Sequence, residues 1–243
     1  MGYQSLAPYV WPIYAPWMAA SLGMSTLLVA LPIWLLGGGH GYVLTSMVAG
    51  AGGAGAAVGA LLVGNLVDRS GPARVATGSL LLMVVASASM ALIGHVVALG
   101  LGHLAFGMGS IGVMLSRQAD LTSRIPPYLR GRAMSVMGGS MRLSVLVGTV
   151  AGGALVEVVG GRWTIAAAGL AAAVGLPAVI PTALRPEREV APTGTDGPGL
   201  ATVVRRHHRP LVRVGVFGAL AMAAREGRMV LLPLVGVSLG LRP

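Results

Sequence analysis

The 243-residue sequence predicts an all-α membrane protein, with six spanning helices in two three-helix repeats of opposed orientation, then a linker and a seventh spanning helix. Three observations carry that expectation. Hydrophobic residues make up 55% of the chain and charged residues only 10%, against roughly 25% charged in a soluble domain. The intervals between charges are long enough for helices of about 20 apolar residues, the length a bilayer requires. Glycine is abundant, at 38 residues, about twice the usual ~7%, and in an apolar chain that excess favours close helix packing.

Each element follows from where the charges fall. Nothing before Asp68 is charged, and that stretch fits two helices, Trp17 to Gly37 and Tyr42 to Val67, parted by the turn-like Gly37-Gly38-Gly39-His40-Gly41. Val75 to Ser116 fits a second pair, breaking between His95 and Gly102. Met134 to Val158 and Arg162 to Pro181 follow, joined at Gly160-Gly161, so the bundle covers residues 17–181. Ahead of it, residues 1–16 hold Tyr3, Tyr9, Trp11 and Tyr14 and read as an aromatic interfacial leader. No cationic segment precedes the apolar run, which fits poorly with a cleaved signal. Residues 182–210 change to Pro, Gly, Thr and mixed charge, the composition of a cytoplasmic linker, and residues 211–243 hold the seventh helix, Leu211 to Val237.

Net charge is +10, and all seventeen cations are arginine. A basic total of this size can signal nucleic acid, but arginines interspersed with spanning runs are read first against the bilayer. With residue 1 inside, Arg69, Arg74, Arg117, Arg124, Arg130, Arg132, Arg185, Arg188, Arg205, Arg206, Arg209 and Arg213 fall on the cytoplasmic side, against Arg162 and Arg242 outside. The positive-inside rule therefore expects a multi-pass protein of the cytoplasmic membrane with a cytoplasmic amino terminus. Trp34, Tyr42 and Trp163 then share the outer interface. Absence of cysteine excludes disulfides, thiolate metal sites and cysteine nucleophiles. No metal-ligand or hydrolytic spacing occurs, so no metal, no cofactor and no enzyme is expected. Two matches to the dinucleotide fingerprint, Gly50 to Gly55 and Gly107 to Gly112, lie inside spanning segments with no preceding strand.

Charges at membrane depth point to function, because each costs a few kcal/mol unless it faces protein or water. Arg225, Glu226 and Arg228 stand mid-way along the seventh segment. Arg225 and Arg228 share a face, whereas Glu226 needs a partner on another element. The two arginines are candidates for anion or substrate contact and Glu226 for proton exchange. Arg142, about two turns into the fifth segment, is expected to snorkel or to pair with Asp68 or Asp120. Arg130 and Arg132 are further partners for cytoplasmic acids.

Between the second and third segments, Gly64, Asp68, Arg69, Gly71 and Arg74 stand in the order G-x-x-x-D-R-x-G-x-x-R. This resembles the loop signature of the major facilitator superfamily, departing from it at Pro72 and Ala73. Gly64 is expected to admit a neighbouring helix, Gly71 to allow a tight reversal, and Asp68 to find a cationic or helix N-terminal partner. The resemblance implies a cytoplasmic latch between two transporter halves. Leu129-Arg130-Gly131-Arg132-Ala133-Met134-Ser135 resembles the start of the fifth helix in facilitator-type drug and sugar efflux proteins. Gly148, Gly152 and Gly153 resemble an antiporter glycine set in which Ser144 and Thr149 replace a glycine and a proline. His103, four residues before Gly107, holds the place of a family arginine, as an interfacial residue or a proton carrier.

The resemblance implies alternating access around a site between two bundles, with a small-molecule substrate and proton-coupled efflux. It places Gly52, Gly55 and Gly59, and Gly148 and Gly152, on surfaces that meet the second half. One helix of that half follows the linker here, so a truncated or split chain is expected, whose partners are the lipid bilayer and a missing carboxyl-terminal half or second chain. A non-transporting scaffold or assembly subunit is the alternative.

Overall fold

The computed structural model describes residues 10–184, together with 208–210, 212–213 and 216–217. The chain divides into two compact units, Met1–Glu187 and Arg188–Pro243. In the second unit the described residues are helical, and Arg225, Glu226 and Arg228, like most of the linker and the seventh segment, lie outside the described residues.

The first unit is a bundle of helices α1 (Ala15–Gly37), α2 (Tyr42–Ser70), α3 (Pro72–Ile93), α4 (Val96–Arg124), α5 (Pro127–Val159), α6 (Gly161–Val174) and α7 (Leu176–Ala183). A π-turn, Val10–Tyr14, leads into α1. Six segments are long and apolar enough to cross a membrane, the sixth being α6 and α7 together. That pair divides at Gly175 because Pro177 has no N–H to continue the ladder.

Boundaries differ from the charge-counted ones where proline rather than charge sets the start. The fifth helix opens at Pro127, seven residues before Met134, since a proline in the first turn loses no bond that a helix N-terminus would have made. The third break falls at Gly94, whose φ of +66° ends α3 in the left-handed region. His95 then caps α4 by accepting from the Val97 N–H at 3.3 Å. Gly71 has a φ of +79° and makes the one-residue reversal between α2 and α3.

Packing pairs α1 with α5 and α6, and α4 with α2 and α3, while α3 meets α6. Exchanging α1–α2–α3 for α4–α5–α6 maps that set of pairs onto itself, as two repeats of opposed direction require. The centre is filled by Leu27, Leu31, Leu80, Met83, Phe106 and Ile165. A second cluster, Ile13, Tyr14, Trp17, Leu121, Ile125, Ala133 and Met137, closes the arginine-rich end. Tyr14, expected among headgroups, is therefore buried, as is Trp17: the Tyr14 hydroxyl donates to the Ala133 carbonyl and the Trp17 indole to that of Met137, each at 3.1 Å. At the other end Trp34 wedges against Gly161, while Tyr42 and Trp163 are exposed.

Candidate functional site

Two seams of bare backbone hold the outlying helices in place. On α2 the residues Thr45, Val48, Gly52, Gly55, Gly59 and Val63 form one buried stripe. A Cβ on Gly55 would fall on the Leu104 carbonyl, and one on Gly59 would come within 2.6 Å of Ile111. On α5 the stripe is Ala133, Met137, Ser144, Gly148 and Gly152. There a Cβ on Gly148 would lie 2.8 Å from the Leu22 carbonyl, and one on Gly152 2.9 Å from that of Thr26. These glycines thus face inward, onto α4 and α1, and not outward onto a second half as their resemblance implied. In the absence of a hydrophobic driving force between helices, close backbone approach is what makes such seams cohere. Gly153 stands at the edge, with only Val29 at 3.9 Å.

At the two replaced positions of the glycine set the backbone is used differently. The Ser144 main-chain carbonyl accepts from the Ser25 hydroxyl across the α1–α5 seam at 3.2 Å. Thr149 keeps the backbone N–H that proline lacks, so α5 runs unbroken there, and its hydroxyl donates to the Val145 carbonyl at 2.9 Å.

His103 lies in the α2–α4 seam, only 1% exposed and eight positions into α4. Its Nδ1 donates to the Val48 carbonyl at 2.9 Å, which leaves Nε2 as the acceptor nitrogen. Nε2 is buried without a partner, against the bare backbone of Gly52, where an added Cβ would stand 2.5 Å away.

At the arginine-rich end the buried charges are Arg117 and Asp120, 0% and 2% exposed. Arg117 Nη1 reaches Asp120 Oδ2 at 3.0 Å and the Pro12 carbonyl at 3.1 Å, while Nη2 reaches the Pro72 carbonyl at 2.7 Å. Pro16 has no N–H to offer the Pro12 carbonyl four residues back, so that acceptor is open to the guanidinium. Arg124 closes on the other carboxylate oxygen. One guanidinium thereby ties the π-turn ahead of α1 to the start of α3 and the end of α4. The carboxylate partners of Asp120 are Arg117 and Arg124, and not Arg130, Arg132 or Arg142 as expected. Arg130 instead donates from Nε to the Ile125 carbonyl at 3.1 Å, capping α4; Arg132 is exposed.

The loop motif presents its charges outward. Asp68, Arg69 and Arg74 are all exposed, and Asp68 makes no ion pair among the described residues, so the expected cationic partner is not found there. Gly64 is exposed too, with nothing within 4 Å of an added Cβ, so it admits no neighbour within this unit. Among the described residues no cluster of three potential metal ligands occurs.

The model of the Major Facilitator Superfamily matches residues 8–242. The chain belongs to that superfamily. No curated protein matches it. Facilitators are transporters, and the chain is accordingly a multi-pass membrane protein of the transporter class. The sequence carries the signal for this buried cluster: Arg117, Asp120 and Arg124 are spaced i, i+3 and i+7, one helical face.

Proposed function

We propose that this facilitator moves a small molecule across the cytoplasmic membrane by alternating access, as a proton-coupled exporter with its amino terminus inside. The observation that carries the reading is the exposed set of loop charges between α2 and α3, together with α2 and α5 themselves, which pack chiefly on α4 and on α1 and are largely exposed on the opposite face. Rocking of two bundles needs a surface that can engage and release. Charges that are exposed and unpaired within their own unit suit a latch closed by a second helical half, on this polypeptide or another. The cytoplasmic assignment of the latch end rests on its arginines, Arg69, Arg74, Arg124, Arg130 and Arg132, against Arg162 at the other.

In this reading Arg225 and Arg228 contact substrate and Glu226 exchanges the proton, with His103 a second titratable group at depth. The test is gradient-driven flux in lipid vesicles holding the chain with a second facilitator half. Flux that disappears when the pH gradient is collapsed supports the reading, and its absence under every gradient favours a scaffold. Glu226→Gln is expected to flatten the pH dependence of flux; an unchanged profile removes Glu226 from the coupling path. Asp68→Asn is expected to lower flux at least tenfold while shifting stability by less than about 0.5 kcal/mol, the usual range for an exposed side chain. Thermal unfolding in detergent checks the second half of that statement.

A further inference from the structure

Between α3 and α4 runs an apolar groove of about 320 Å³. Its floor is made of small residues, the buried Ala86 and Gly102 and the half-buried Ala105, and its rims are the exposed Val85 and Leu101. Glycine is required in that floor, because a Cβ on Gly102 would collide with Met90 Cγ and stand 3.3 Å from the Ala86 carbonyl oxygen. The one hydroxyl in the lining, that of Ser89, donates to the Ala86 carbonyl at 2.8 Å, so its hydrogen is spent within α3 and not offered to the groove.

The dimensions of the groove fit one leaflet. Along α3 it extends from Leu82 to Ile93, about 16 Å at 1.5 Å per residue, which is half of a hydrocarbon layer of roughly 30 Å. Its mouth lies at Ile93 and Ala98, where α3 ends and α4 begins. Exposed Trp163 stands at the same end, an aromatic residue suited to headgroup level.

The mouth is cationic. Arg162, at the start of α6, donates from Nε to the Ala91 carbonyl at 2.5 Å and from Nη2 to that of Leu92 at 3.3 Å, which sets its guanidinium one residue short of Ile93. A helix C-terminus leaves such carbonyls without intrahelical partners, and as neutral acceptors they position the guanidinium while leaving its charge in place. The side chain remains exposed. Next to the mouth His95 is also exposed, and because its Nδ1 accepts from the Val97 N–H, the neutral ring carries its hydrogen on Nε2 as a second donor. Glu157, the described carboxylate at this end, stands on α5, whereas α3 packs mainly on α4 and α6, and it forms no ion pair with Arg162.

We propose that the α3–α4 groove is a binding site for an anionic phospholipid, one acyl chain lying between Val85 and Leu101 and the phosphate pairing with Arg162. Hydrocarbon covers every apolar face of a spanning bundle; a concave floor one leaflet deep with a positioned cation at its mouth selects a headgroup as well. The bound chain completes the packing of α3 on α4 where small residues leave it open.

The experiment is native mass spectrometry of the full chain released from mixed micelles holding equal amounts of dioleoyl phosphatidylglycerol and dioleoyl phosphatidylcholine, whose tails are identical and whose net charges differ. The wild-type protein is expected to retain phosphatidylglycerol over phosphatidylcholine by roughly fivefold, the scale of a partly exposed ion pair. Arg162→Gln is expected to remove that preference and Arg162→Lys to keep part of it. Ala98→Leu, which fills the mouth and leaves the cation, is expected to lower retention of both lipids. Arg132→Gln removes the same charge at the opposite end and is expected to change neither quantity, which separates this site from the attraction of anionic lipid to any basic protein. Because Arg162→Gln also uncaps α3, Ala98→Leu tests the groove with that cap intact, and circular dichroism checks the folding of each variant. No preference in the wild type, an unchanged ratio in Arg162→Gln, an equal loss in Arg132→Gln, or full retention by Ala98→Leu overturns the proposal.

Discussion

Gly55→Val is expected to leave little or no folded protein. A Cβ at that position would stand 2.7 Å from the carbonyl carbon of Leu104 and 3.0 Å from its Cα, and a backbone cannot yield as a flexible side chain can. Separating α2 from α4 to make room would also break the contacts of Gly52, Gly59 and Gly107, since a Cβ on Gly107 would itself lie 2.8 Å from the carbonyl carbon of Gly52. The cost is therefore placed at or above about 3 kcal/mol, the upper end for an overpacked interior. Gly53→Val, on the same helix two residues away, meets nothing within 4 Å and is expected to stay within about 0.5 kcal/mol. Yield of monodisperse protein and the thermal midpoint in detergent distinguish the two. Similar behaviour of both variants would mean that the seam is not what holds α2.

That contrast also shows how far a sequence of this kind can be read. The spans follow from charge spacing because lipid penalises every charge in a spanning segment, and α2 begins at Tyr42 as expected. Which face of a span is inward does not follow. In a helix that is apolar all round, periodicity carries no polarity signal, so Gly52, Gly55 and Gly59 could be placed on one face but not assigned a neighbour. Gly64 and Gly71 illustrate the same limit seven residues apart. Gly71 was legible because a reversal needs its positive φ, a local requirement, whereas an approaching helix at Gly64 is a tertiary matter that the motif does not encode.

The candidate site divides similarly. Asp68, Arg69 and Arg74 were found as a motif, and their exposure agrees with a latch, but their partner is not within the bundle. His103 was marked by its spacing from Gly107; its burial follows from Gly52 on another helix, fifty-one residues away in sequence. Arg142 was given carboxylate partners by proximity of charge alone. Asp120 was already claimed by Arg117 and Arg124 at local helical spacing, and local partners at i+3 and i+4 are bound with little further loss of chain entropy.

The second large effect is expected at that buried pair, and it depends on which partner is removed. Asp120→Ala strips the carboxylate from a guanidinium that is 0% exposed, leaving it only the Pro12 and Pro72 carbonyls and an Nε with no partner. Breaking a buried pair in this way costs about 3–5 kcal/mol, because the remaining charge is neither solvated nor neutralised. Arg117→Ala is expected to cost less, since Asp120 keeps Arg124, whose side chain is 46% exposed and in contact with water. The double substitution Arg117→Met, Asp120→Leu removes both charges and is expected to come within about 1 kcal/mol of the parent, because desolvation cancels much of the attraction in such a pair. Thermal unfolding of the three variants orders them. If the double substitution were as damaging as Asp120→Ala, the loss would lie in the tie between the π-turn and α3 and not in an uncompensated charge. If instead the order holds, the stability of this end is set by charge balance, and the tie is free to serve as a hinge at the start of α1.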